Sequence, residues 1–171
     1  MFPSYYEFYN PVKILSGEKA LENIAHELDQ ANAHQPLIIT DQGVEKAGLL
    51  KTVKKAFDSS NTVIGAIFDE VPPDSSHKLV NSISQLYHQK QCDSIIAVGG
   101  GSVIDTAKGV NILVSEDSDN LMNFAGADML KNPLKPFFVI PTTAGTGSEV
   151  TMVAVIYNEE RNVKMSFTSH R

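Results

Sequence analysis

The sequence predicts an α/β fold in which a parallel sheet carries helices on both faces and a terminal β-hairpin follows. Between residues 16 and 115, segments with helical spacing of apolar residues alternate with short runs of isoleucine and valine. Such runs are typical of buried parallel strands, and the alternation is typical of βαβ units. Beyond residue 149, two apolar segments flank a polar turn, which predicts the hairpin.

The individual elements follow from local periodicity and from capping residues. Strands are expected at residues 36–40, 62–68, 94–98 and 136–141. Helices are expected at residues 16–31, 44–57 and 102–114, and a further helix is expected to be capped by Ser75 or Ser76. The polar segment 115–135 is expected to be a surface loop with a short helical piece. Residues 149–167 are expected to form two strands joined by a turn at 158–161.

Composition and charge bound the possible functions. The 171 residues are 42% hydrophobic and 20% charged, which favours one folded domain over residues 1–171. The formal net charge is −6 and the basic residues are scattered, so we expect no nucleic-acid partner. The single Cys92 cannot form an intramolecular disulfide, and no apolar run has the length of a membrane span. We therefore expect a cytoplasmic protein without membrane contact.

A run of small residues follows the predicted strand at 94–98. It consists of Gly99, Gly100, Gly101 and Ser102. A helix that begins there offers unpaired amides and the positive end of its dipole, while glycines allow a phosphate to approach the backbone. We therefore predict a pyrophosphate site, although neither GxGxxG nor the P-loop motif fits, because Ile104 occupies a required glycine position.

Alternatives stay open at this turn. The glycines can serve only as a tight connection between strand and helix, with Ser102 and Asp105 forming an S-x-x-D capping box. Asp105 can instead orient Lys108 or contact the ligand, although a carboxylate beside a bound phosphate is unfavourable.

Two more polar segments follow predicted buried strands. The segment 141–151, PTTAGTGSEVT, is either a ligand-binding loop or a threonine-rich turn with local hydrogen bonds. Asp41 follows the strand at 36–40, where a carboxylate can accept both hydroxyls of a ribose and repel a 2′-phosphate; the alternative is a cap for the next helix. Because open α/β sheets bind ligands at the carboxyl ends of their strands, these segments together predict a nucleotide cleft that favours NAD over NADP.

Metal and nucleophile chemistry lack a signature in the sequence. No i, i+4 pair and no HExxH motif occurs among His26, His34, His77, His88 and His170. No serine lies in a GxSxG motif. We predict no catalytic residue and no metal ligand in this chain.

Two segments carry a family resemblance. SIIAVGGGSVIDTAKGV and FFVIPTTAGTGSEVT resemble the two most characteristic segments of the iron-containing (group III) alcohol dehydrogenases, and FYNPVKILSGEKAL resembles their N-terminal strand and turn. The resemblance runs through nearly the whole chain. It implies a Rossmann-like fold of the dehydroquinate synthase type, an NAD cofactor and a small alcohol or aldehyde substrate.

The resemblance also implies residues that contact the cofactor. The pyrophosphate would be held by Gly99, Gly100, Gly101 and Ser102. The adenine and phosphate side would be lined by Thr142, Thr143 and Thr146. The adenosine ribose would meet Asp41, the nicotinamide end Asp74, and a cofactor ribose Lys164.

Members of the family continue into a helical domain, whose aspartate and three histidines bind Fe²⁺ or Zn²⁺. This chain stops at Arg171, before any such residues, so we expect it to be inactive by itself. We also expect self-association, as a homodimer or otherwise, through the apolar face that such a domain would cover. Two alternatives stay open: half of a glycerol dehydrogenase or dehydroquinate synthase-like enzyme, and a non-catalytic nucleotide-binding or dimerisation module.

Overall fold

Two sheets organise the part of the chain that the computed structural model describes, which is residue 5 and residues 10–169. The first sheet is parallel and contains β1 (Pro36–Thr40), β2 (Ala66–Phe68), β3 (Ser94–Gly99) and β5 (Phe137–Pro141), in the order β2-β1-β3-β5. The second contains β4 (Gly126–Ala127), β6 (Val153–Asn158) and β7 (Val163–Thr168), in the order β4-β7-β6. Strands β6 and β7 pair antiparallel, which confirms the predicted hairpin.

Helices connect the parallel strands. They are α1 (Ile24–Gln30), α2 (Gln42–Lys46), α3 (Leu49–Lys55), α4 (His77–Gln89) and α5 (Gly101–Glu116). Short 3₁₀ turns occur at Ala20–Asn23, Leu121–Phe124 and Ser148–Val150. Ser76, rather than Ser75, caps α4, because its side chain accepts a hydrogen bond from the Leu79 amide.

The helices cover both faces of the parallel sheet. Successive side chains of a strand point to opposite faces. On one face, Leu37, Ile39 and Ile95 pack with α4, α5 and the hairpin, while on the other Ile38 and Ile96 pack with α1, α2 and α3. All five of these side chains are 0% exposed, so the sheet separates two fully buried cores.

Three predicted elements differ from the structure. The first helical segment begins at Ala20 instead of residue 16, because Gly17 has φ +134° and starts a turn. The predicted helix at 44–57 is divided into α2 and α3, because Gly48 between them has φ +76°, in the left-handed region that ends a helix. Of the predicted strand at 62–68, only Ala66–Phe68 pairs with β1.

Two further segments bear on the predictions. The loop at 115–135 contains the expected short helical turn, and it also contributes β4, which pairs with β7. The N-terminal strand and turn implied by the resemblance begin at residues 8 and 9, which lie outside the described residues, and residues 10–16 adopt no strand.

The amino-terminal edge of the parallel sheet is held by Asp93. Its carboxylate accepts hydrogen bonds from the backbone amides of His34 (2.6 Å) and Gln35 (2.9 Å) and from the Ser94 hydroxyl (2.7 Å). Burial alone would raise the pKa of this carboxyl, but the amide and hydroxyl donors outweigh it and lower the pKa. Asp93 therefore joins the starts of β1 and β3 through a charged acceptor.

Cys92, next to Asp93, is buried. Burial, reinforced by the Asp93 carboxylate, raises the pKa of the Cys92 thiol to about 11. Only the thiolate is a nucleophile, so near pH 8 about one thiol in a thousand is reactive.

We expect iodoacetamide to modify Cys92 in the folded protein at least about tenfold more slowly than in denaturant. Mass spectrometry of the alkylated chain over time, with and without denaturant, measures both rates. Equal rates in the two conditions would contradict the burial of this thiol.

Candidate nucleotide-binding site

Three polar segments meet at the carboxyl edge of the parallel sheet. Strands β1, β3 and β5 are neighbours and parallel, so Asp41, the glycine run and the loop that begins at Thr142 lie side by side. The Thr142 amide donates to the Gly99 carbonyl (3.0 Å) and joins two of these segments. The chain passes from β1 to β2 on one side and then to β3 on the other. This reversal is the position where open α/β sheets bind ligands.

A cleft of about 750 Å³ opens at this edge. Of the residues predicted from the sequence, those that line it are Asp41, Gly100, Gly101, Ser102, Thr142 and Thr143. Residues that the sequence analysis missed include Gly43, Val44, Glu70, Val71, Pro72 and Pro73. Four of the missed residues, 70–73, follow β2, so applying the strand-end rule to β2 would have found them.

Helix α5 begins at the cleft without a side-chain cap. Gly100 is its N-cap residue, whereas Asp41 caps α2 through its side chain and Ser76 caps α4. The first amides of an α-helix have no acceptor within the helix. Because Gly101 and Ser102 line the cleft, α5 offers it unpaired donors and a positive dipole end, the usual surroundings of a bound phosphate.

The capping box that was left open for Ser102 and Asp105 is not formed. Ser102 lies inside α5, and its hydroxyl accepts a hydrogen bond from the Asp74 amide (3.4 Å). Asp105 accepts from the Val155 amide (3.1 Å) instead. Asp105 therefore binds the hairpin rather than the start of its own helix.

The three glycines of the turn have different neighbours. A Cβ on Gly99 would lie 2.6 Å from Val103 Cγ2, so Gly99 is required by the packing of α5 on β3. A Cβ on Gly100 would lie 2.9 Å from Thr143 Oγ1, and one on Gly101 would lie 3.5 Å from Ser148 Oγ. Gly99 is buried beneath the cleft, whereas Gly100 and Gly101 keep a gap open between the turn and the threonine-rich loop.

Asp41 and Thr146 make local hydrogen bonds. Asp41 Oδ1 accepts from the Val44 amide (3.0 Å), so the capping alternative for this residue is confirmed, although Asp41 also lines the cleft. The Thr146 hydroxyl donates to the Glu149 carboxylate (3.1 Å) and accepts from the Ser148 amide (3.3 Å). The segment 141–151 therefore has the local hydrogen bonds expected of a threonine-rich turn. Its first two threonines, Thr142 and Thr143, also line the cleft.

Asp74 and Lys164 pair with each other beside Ser102. Lys164 Nζ lies 2.6 Å from Asp74 Oδ1, and neither side chain belongs to the lining of the cleft. The Lys164 side chain is 57% exposed and that of Asp74 is 68% exposed, so the ion pair stabilises the fold by about 0–1 kcal/mol. The pair connects β7 to the glycine turn, because the Asp74 amide is bound to Ser102.

The sequence matches the family described as iron-containing alcohol dehydrogenase over residues 11–171. The chain belongs to the iron-containing alcohol dehydrogenase family. Its α/β fold agrees: a crystal structure of 1,3-propanediol oxidoreductase, 33% identical, superposes with a TM-score of 0.84 over 90% of this chain and 40% of that one. The iron-containing alcohol dehydrogenase of Thermotoga maritima, 32% identical, gives 0.84 over 96% of this chain and 45% of its own.

The relatives of this chain are named for different substrates. Choline dehydrogenase of Bacillus subtilis is 35% identical over 95% of this chain and 40% of its own length. NAD-dependent methanol dehydrogenase of Bacillus methanolicus is 34% identical over 92% of this chain and 41% of its own. The chain thus spans about 40% of the length of these two relatives.

Iron-containing alcohol dehydrogenases use a divalent metal as well as NAD. Within residues 10–169 and residue 5, no group of three or more histidine, cysteine, aspartate or glutamate side chains is placed to hold a metal ion. The side chains described here therefore do not fit Fe²⁺ or Zn²⁺, and His170 lies outside them. The same residues contain no helix long and apolar enough to cross a bilayer.

A second cleft, of about 1090 Å³, lies between residues 11–31 and β5. Its walls are largely apolar and include Leu134, Phe138 and Ile140, which are only partly buried. The strand ends and the uncapped start of α5 converge at the smaller cleft instead. Self-association stays a prediction.

Proposed function

We propose that this chain is the NAD-binding domain of a metal-dependent alcohol dehydrogenase that transfers hydride between a small alcohol or aldehyde and NAD. The observation that carries the proposal is the uncapped start of α5, which opens into the 750 Å³ cleft where β1, β3 and β5 end. Membership of the iron-containing alcohol dehydrogenase family supports it, as does the NAD dependence named for the methanol dehydrogenase relative.

The proposed contacts place each part of the cofactor at a different part of the cleft. The pyrophosphate would accept hydrogen bonds from the first amides of α5, at Gly101 and Ser102, with Gly100 leaving room for it. Asp41 would accept the adenosine ribose hydroxyls, and Thr142 and Thr143 would line the adenine and phosphate side. NAD supplies the hydride acceptor of the reaction.

Four of the residues named for the cofactor do not line the cleft, and they would act from its edge. Asp74 and Lys164 would meet the nicotinamide end and its ribose once the ion pair between them opens. Thr146 would act on the adenine and phosphate side by fixing the threonine-rich loop, since its hydroxyl is hydrogen-bonded within that loop. Gly99 would support the turn from below, since its backbone is buried and carries the close packing of Val103.

The domain assignment is part of the same proposal. Residues 1–171 would form one dinucleotide-binding domain, and the metal that binds the substrate oxygen would be supplied from outside the described side chains. The chain alone would then bind NAD without turning over an alcohol. A cytoplasmic location and self-association complete the proposal; a non-catalytic nucleotide-binding module is the second candidate, because the described residues lack a metal site.

Calorimetric titration of the chain with NAD⁺ and then NADP⁺ tests the proposal. We expect saturable binding of NAD⁺ and little response to NADP⁺, because Asp41 repels a 2′-phosphate. In Asp41→Asn the cap is retained, since asparagine is an equally good N-cap, but the charge is lost. The variant is expected to bind NADP⁺ about tenfold more tightly than the wild type does, a change of about 1.4 kcal/mol.

Two results would contradict these assignments. A folded wild-type chain that binds neither dinucleotide would refute the proposed function. A wild type that binds NAD⁺, together with an Asp41→Asn variant whose NADP⁺ affinity is unchanged, would refute the role of Asp41 alone.

A further inference from the structure

Lys108 lies on α5, two turns after the glycine turn, and its ammonium is surrounded by backbone oxygens. It donates at 2.7–2.8 Å to the carbonyls of Ser148, Thr151 and Val153. The Thr151 hydroxyl oxygen is a fourth acceptor, at 3.2 Å. An ammonium has three protons, so these protein acceptors use all of its donors. These three carbonyls lie in the last part of the threonine-rich loop and at the first residue of β6, which identifies Lys108 as the anchor of that segment.

The anchored segment is fixed at two positions. At its upstream end, the Thr142 amide is bound to the Gly99 carbonyl, and at its downstream end Lys108 holds Ser148 to Val153. Between them, residues 142–146 are exposed, and Gly145 and Gly147 have positive φ values of 89° and 71°. The threonines that line the cleft therefore depend on both ends for their position.

Helix α5 contacts both sides of the cleft. Its first residues form the proposed phosphate site, and Lys108 on the same helix holds the opposite loop. Asp105, one turn earlier, binds β6 through the Val155 amide. Burial raises the pKa of Asp105 and lowers the pKa of Lys108, while their opposite charges act against both shifts.

We propose that Lys108 is a positioning residue for the dinucleotide: it sets the distance between the phosphate site of α5 and the threonine-rich loop, without itself contacting the phosphates. This inference rests on the proposed function. It distinguishes Lys108 from the P-loop lysine, whose ammonium reaches the phosphates directly. The reason is that the protons of Lys108 are already donated to carbonyl oxygens.

Lys108→Met tests this role, with Lys78→Met as the matched control. Methionine keeps the apolar stem of Lys108 and removes its donors. Lys78 is also on a helix, but its side chain is 61% exposed and pairs with Glu159 at the surface. Hydrogen exchange of peptides within residues 142–155 is measured without ligand, and the affinities for NAD⁺ and inorganic pyrophosphate are measured at a temperature where circular dichroism shows all variants folded.

In Lys108→Met we expect exchange in this segment to be about tenfold faster. We expect NAD⁺ affinity to fall about tenfold, and pyrophosphate affinity to change by no more than about twofold, because α5 forms the anion site by itself. Lys78→Met is expected to change neither exchange nor affinity. The contrast between NAD⁺ and pyrophosphate separates positioning from a general loss of structure, which would weaken both ligands.

Three outcomes would overturn the inference: unchanged exchange in the segment, faster exchange with unchanged NAD⁺ affinity, or an equal loss of both ligands together with faster exchange throughout the chain. A wild-type chain that binds pyrophosphate but no NAD⁺ would refute the proposed function instead. The exchange measurement then still decides whether Lys108 holds the loop.

Discussion

Replacing Gly99 by alanine is expected to destabilise the fold by about 1–3 kcal/mol, because the new methyl group overpacks the contact between β3 and α5. It would lie 2.6 Å from Val103 Cγ2 and 2.7 Å from Val103 Cβ. Val103 is 2% exposed and packed within a core, so it cannot move aside without displacing the helix. Urea denaturation of the variant and of the wild type measures the loss.

Gly101→Ala is the matched control for this prediction. Its Cβ would lie 3.5 Å from Ser148 Oγ, an ordinary contact, and alanine is favoured over glycine within a helix. We expect its stability to stay within about 0.5 kcal/mol of the wild type or to rise by up to about 1 kcal/mol. If both substitutions cost the same, the packing role of Gly99 is wrong.

Asp93→Ala is expected to destabilise the protein by about 2–3 kcal/mol at neutral pH, because the amides of His34 and Gln35 lose a charged acceptor. The effect is expected to depend on pH. Since the folded pKa of Asp93 lies below its unfolded value, the carboxylate stabilises the fold fully above about pH 5 and loses this contribution as the pH falls below about 4.

Urea denaturation from neutral pH to about pH 3 tests this dependence, with the exposed Asp58→Ala as the control. The difference between wild type and Asp93→Ala should shrink with acid, whereas Asp58→Ala should differ little from wild type throughout. A difference that stays constant over this range would show that Asp93 does not act through its charge.

Sequence reasoning succeeded where the signal was local. The apolar runs that form β1 and β3 could be recognised directly, because strands buried on both faces have apolar side chains at nearly every position. The polar residues after those strands could be placed at one edge, because parallel strands end together. Gly48 was the local exception, since a single glycine inside an apolar pattern does not reveal its φ value.

Contacts between distant segments could not be predicted in this way. Lys108 lies 40 residues before Ser148 and Asp74 lies 90 residues before Lys164, and no periodicity links such pairs. The two-residue β4 is too short to produce a pattern. The family resemblance pointed to Asp74 and Lys164, but it did not indicate that they pair with each other or that Asp105 binds the hairpin.

The attachment of the hairpin to α5 has a consequence for the order of folding. Asp105 and Lys108 bind partners 40 to 50 residues further along the chain, and β1 pairs with β3 across a separation at least as long. Closing such long segments has an entropic cost that is recovered only when the distant contacts form. We therefore expect the two walls of the cleft to form together with the parallel sheet, and no smaller part of the chain to present the cleft by itself.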